Sequence, residues 1–171
     1  TEILGETTLP GSRKVLSLEF KTPDGKSLDF ISLLPEGYSL EKWVSAGTSS
    51  VNPYKRLVVY GEQRATESGY VPFFSTAGAF LELLHEIGHI EATESVLKNK
   101  HPRNEAGRQE LLKKIIEETG NNQDERAAWA YAVMKLKGLR SKGIDLEPEL
   151  DTSDKIKQSV HLGGHRVLSK D

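Results

Sequence analysis

The chain has 171 residues, 28% of them charged, a formal net charge of -2 and no cysteine. That length suits one domain with a modest core, and the charge offers no basic footprint for nucleic acid. Without cysteine there is no disulfide, iron–sulfur cluster, thiolate metal site or cysteine nucleophile, so any metal must be held by His, Asp or Glu.

In chain order, residues 1–14 read as a loose lead-in. Lys14–Phe20 ("KVLSLEF") alternates apolar and polar residues as a half-buried strand does. "TPDGKS" is a turn signal, and Ser27–Leu34 is the expected returning strand. After the break at Pro35-Glu36-Gly37, "SLEKWVSAG" reads as a short helix capped by Ser39. Arg56–Gly61 ("RLVVYG") is the strongest strand candidate, β-branched and closed by glycine. Ser68–Phe74 reads as extended, with Pro72 favouring an edge or loop.

Helical spacing then takes over. A helix capped by Ser75 or Thr76 is expected to run to about Leu97, with Phe80, Leu83, Leu84, Ile87, Ile90 and Val96 on its apolar face. Glu105–Gly120 reads as a second helix ended by its glycine. Asn121–Leu139 reads as a third, capped by Asn121 or Asn122. From Arg140 the chain is polar, with a loop, short helix or tail expected. Strands first and helices after predict an α+β fold: an N-terminal twisted β-sheet, a central helix and further helices, in one domain over residues 1–171. No apolar run is long enough to cross a membrane. The opening residues lack the basic start and apolar middle of a signal peptide. The expected location is the cytoplasm, although a chain opening on Thr1 leaves room for a removed segment.

The central helix carries "LHEIGHI" (Leu84–Ile90). Residues four apart share a helix face, so His85 and His89 can point ring nitrogens at one ion. Glu86 lies beside them, where a carboxylate can serve as general base. The plain alternative is two histidines on an ordinary helix surface. Apolar flanks and Gly88, which costs about 1 kcal/mol of helix propensity against alanine, favour a site with something packed closely alongside.

A zinc site needs a third protein ligand. A histidine ligand farther along the same segment fails, because its Gly and His places hold Ala92 and Ser95. A carboxylate remains, from Glu94, Glu105, Glu110, Glu117, Glu118, Asp124 or Glu125. Glu94 lies more than a turn past His89. Glu117 and Glu118 sit with Lys113 and Lys114 on a charged, solvated face. Glu125 opens a stripe with Ala128, Trp129, Ala132 and Val133, where a carboxylate wants a partner. Asp124 is the runner-up, better explained as a first-turn residue favoured by the helix dipole.

"HEIGH" on one helix and "DERAAWAYA" on a later one resemble the gluzincin metallopeptidases, above all the compact ImmA/IrrE-type peptidases and minigluzincins. The resemblance covers about residues 56–139. It implies a zincin-like domain binding Zn2+ through His85, His89 and Glu125, with Glu86 as general base and a protein or peptide as substrate. No DNA-binding helix pair accompanies it. Zincins add substrate as a strand along a sheet edge; Arg56–Gly61 or Tyr70–Phe74 are the candidate edges. Tyr131, Arg126 and His101 are candidates for stabilising an oxyanion. His161 and His165, in "VHLGGHRVL", form either an exposed tail or a latch over the site. Trp43 and Trp129 are expected in the core, and the acidic stretch beginning at Glu147 is expected to be solvated. Oligomeric state has no sequence signal.

Overall fold

The computed structural model describes residues 2–8, 13–22, 24–46 and 49–168, with side chains for 6–8, 13–22, 24–44, 49–118 and 125–160. Seven strands form one mixed sheet: β1 (Glu2–Thr8), β2 (Lys14–Lys21), β3 (Ser27–Asp29), β4 (Ser39–Ala46), β5 (Ser50–Asn52), β6 (Leu57–Thr66) and β7 (Gly69–Pro72). Helices α1 (Ala79–Lys100), α2 (Glu105–Ser141) and α3 (Ser153–Leu168) follow, so the α+β expectation holds. The strand order is β1-β2-β4-β6-β5, with β3 also on β2 and β7 also on β6. Only β4 and β6 run parallel; the other pairs are antiparallel.

Several local expectations change. The lead-in contains β1, which pairs along β2 from Glu2↔Lys21 to Thr8↔Val15. The returning strand is short: β3 stops at Asp29, whose side chain accepts from Ile31 N–H and starts a 3-10 turn over Phe30–Leu33. "SLEKWVSA" is strand β4, not a helix. It is paired with β2 through Val15↔Leu40 and with β6 from Ser39↔Leu57 to Ala46↔Gln63. Eight residues give too short a pattern to separate the two periods, and partners on both sides decide for the strand.

The helices differ in similar ways. α1 begins later than expected, after Gly78 in the left-handed region (φ 86), and Val96 is exposed while Leu97 is buried. The two helices expected over 105–139 are one, running unbroken through Gly120. A helical glycine costs about 1 kcal/mol against alanine. Packing of α2 on both sides of it outweighs that cost: Leu112 and Ile115 pack with Leu97, and Trp129, Ala132 and Leu136 enter the main core. The polar C-terminal stretch contains α3, and the side chains of His161 and His165 lie outside the described residues.

The main core lies between one face of the sheet and α1. Phe20 meets Phe80 edge to face at 4.4 Å, and Phe74 stacks on Phe80 at 4.9 Å. Trp129 is buried as expected, whereas Trp43, within β4, is 41% exposed. Among the described residues, no helix is long and apolar enough to cross a membrane.

Candidate metal centre

Two long-range contacts set α1 in place. Gly78, at the start of α1, brings no capping side chain, so the first N–H groups need an acceptor from elsewhere. Glu147 supplies it: Oε2 accepts from Gly78 N–H at 2.9 Å and Oε1 from Phe80 N–H at 2.8 Å. This carboxylate is buried, not solvated. Burial pushes its pKa up, and the backbone donors of Gly78, Phe80 and Leu81 pull against that shift. The second contact is at Gly88. A Cβ there would lie 2.6 Å from the carbonyl oxygen of Ala128 and 2.8 Å from its Cα. The glycine therefore permits the close crossing of α1 and α2 that its placement in the sequence suggested.

That crossing brings three side chains together. His85 Nε2 lies 2.7 Å from Glu125 Oε2, His89 Nε2 lies 2.9 Å from Glu125 Oε1, and the two Nε2 atoms are 3.1 Å apart. Their ligand-type atoms all fall within 4.8 Å of one another. Ligands about 2.0–2.1 Å from a tetrahedral ion stand about 3.3 Å apart, so a slight opening of this set accommodates one. The donor chemistry fits too. At 2.7 Å the contact from His85 Nε2 to Glu125 Oε2 is a hydrogen bond that the imidazole donates, while Glu86 Oε1 stands 3.6 Å from Nδ1. A cation between Nε2 and the carboxylate would take the place of that proton.

Trp129 supports the arrangement from α2. Its ring stacks on the His85 imidazole at 4.0 Å and 16°, which fixes the ring plane. Burial alone pushes the His85 pKa down, but the carboxylates of Glu86 and Glu125 outweigh it and hold the pKa above the ordinary histidine value. A proton and a cation thus answer the same excess of acceptors.

No protein-family model, curated protein or solved structure matches this chain. What the site can do rests on its own geometry.

The other carboxylates considered as ligands are engaged or exposed. Glu94 accepts from the Tyr38 hydroxyl at 2.9 Å and pairs with the buried Arg108. Glu105 pairs with Arg56 at 2.9 Å, and Glu110, Glu117 and Glu118 are exposed. The side chain of Asp124 lies outside the described residues. Among the oxyanion candidates, His101 caps the far end of α1, twelve residues past His89 and so about 18 Å along the axis. Arg126 is exposed and Tyr131 half-buried, and neither hydrogen-bonds to His85, His89 or Glu125. Of the two candidate substrate edges, β6 is interior, paired with β4, β5 and β7. β7 has only β6 as a partner among the described strands. Sequence reasoning missed Glu147 and the stacking role of Trp129. The capping carboxylate carries no local signal, because it lies 69 residues from the N–H it serves.

Proposed function

We propose that this chain is a zinc-dependent endopeptidase of gluzincin type that hydrolyses peptide bonds. The observation that carries the reading is the meeting of His85, His89 and Glu125 from two separate helices, with Glu86 beside them. Held by this set, zinc supplies Lewis acidity that polarises a substrate carbonyl and makes water acidic near neutral pH. Glu86, only 13% exposed at its side chain, accepts the proton as water attacks the carbonyl carbon. It returns that proton to the amine nitrogen as the C–N bond breaks. Glu125 contributes the negative charge that balances the cation, and Trp129 keeps the His85 ring turned toward it. The outer edge of β7 is available to align an extended peptide through main-chain hydrogen bonds.

A second reading is a non-catalytic zinc-stabilised protein-binding domain, in which the metal staples α1 to α2. It is favoured by the position of Glu86 against His85 Nδ1, where a carboxylate orients a ligand without entering chemistry. Metal analysis of the purified chain and a peptide-library cleavage assay on wild type and Glu86→Ala separate the two. The enzyme reading expects one zinc per chain in both proteins and a loss of cleavage of about 10²–10⁴-fold in the variant. Stoichiometric zinc with no Glu86-dependent cleavage selects the second reading; no zinc defeats both.

A further inference from the structure

Beside Trp129, residues of α2 and α3 line a cavity of about 820 Å³, within the usual range for small-molecule sites. Its walls are apolar: Trp129, Val133 and Met134 from α2, Ile156 and Val160 from α3. Its polar side chains are Lys137, Lys157 and Ser153. Lys137 and Lys157 line it, and neither has an ion-pair partner among the described residues. Met134, 64% exposed, adds an adaptable thioether at the rim.

We propose that this cavity binds a free fatty acid, its hydrocarbon chain lying against Trp129, Val133 and Ile156 and its carboxylate drawn to Lys137 and Lys157. The two ammonium groups favour a negative charge, to which the Ser153 hydroxyl can also donate, and the walls favour a hydrocarbon body. A neutral apolar ligand leaves the lysines unanswered. A small inorganic anion makes no use of the walls. The proposal is independent of the metal reading, so its test uses metal-free protein.

The chain has two tryptophans, so Trp43→Phe leaves Trp129 as the sole reporter of the cavity. Dodecanoate below its micellar concentration is titrated into chelator-treated Trp43→Phe protein while Trp129 emission is followed. Saturation at one equivalent is expected, with dodecanol binding about tenfold more weakly and dodecyltrimethylammonium more weakly still. Lys137→Ala combined with Lys157→Ala weakens dodecanoate by about tenfold or more. Val133→Phe, confirmed folded by circular dichroism, narrows the cavity and weakens binding without adding a second tryptophan. No saturable change overturns the proposal. So does equal binding of all three amphiphiles, wild-type affinity in the double lysine variant, or wild-type affinity in folded Val133→Phe. Association with phospholipid vesicles without binding of free dodecanoate also overturns it, since the site would then serve a lipid surface.

Discussion

Two polar clusters join α1 to α2, and they are built on opposite principles. Near the helical hairpin, Arg108 pairs with Glu94 and donates to the carbonyl of Pro53 at 3.1 Å, while the Tyr38 hydroxyl donates to the same Glu94 carboxylate at 2.9 Å. Donors match acceptors, and burial together with Glu94 pushes the Tyr38 phenol far up, so it stays protonated. Farther along the same pair of helices, the ligand-type atoms of His85, His89 and Glu125 lie within 4.8 Å of one another, and no lysine or arginine pairs with them among the described residues. Both clusters are substantially buried. The first closes on itself and serves stability; the second is left short of positive charge and suits a ligand. Balance of donors and acceptors, more than burial or charge count, separates the structural cluster from the candidate site.

Substitutions in matched pairs break this comparison most sharply. Arg108→Ala strands a partly buried Glu94 carboxylate and is expected to cost about 3 kcal/mol of stability. It should leave the gain in Tm on adding zinc intact. Glu125→Gln should do the reverse: near-native stability without metal, and loss of the zinc-dependent gain, which for wild type is about 2.7 kcal/mol at a hundredfold excess over Kd. Thermal melts with and without zinc measure both. If the two variants behave alike, the distinction drawn between the clusters is wrong.

A smaller effect tests the geometry that the two clusters share. Gly88→Ala forces a methyl group into the backbone of Ala128 and should cost about 2 kcal/mol through overpacking. The displaced α2 should also carry Glu125 away from the histidines, so zinc affinity falls together with Tm. A variant with lower Tm but wild-type zinc affinity would show that the close crossing serves packing alone.

The smallest effect lies at the rim of the closed cluster. Glu105, exposed and forked to Arg56, has its pKa lowered from the ordinary value to about 2, chiefly by the Arg56 hydrogen bonds. A depressed carboxylate stabilises the fold above its ordinary pKa of about 4.5, and that contribution is lost as pH falls through about 2. Glu105→Gln should therefore lower Tm slightly at neutral pH, with the two proteins converging as pH falls through about 2. An identical acid profile in wild type and variant would mean the fork contributes nothing.

What the sequence determined by itself is what local periodicity encodes. The strands over Lys14–Lys21 and Leu57–Thr66 follow from alternation and β-branching. The shared face of His85 and His89 follows from a spacing of four. The alignment of Glu125 with buried Ala128, Trp129 and Ala132 follows from helical repeat, and Gly88 announced a close approach before its partner was known. The tertiary structure decided what depends on partners distant in the chain. Ser39–Ala46 is a strand because β2 and β6 satisfy its backbone on both sides, and residues 2–8 are ordered as a strand by the length of β2. α2 runs through Gly120 because packing at both ends outweighs one weak position. Glu147 is buried because the start of α1 needs an acceptor that its own residues lack. Helical and strand periods are properties of neighbours along the chain; a cap, an edge pairing or a helix crossing belongs to residues that meet only when the chain has folded.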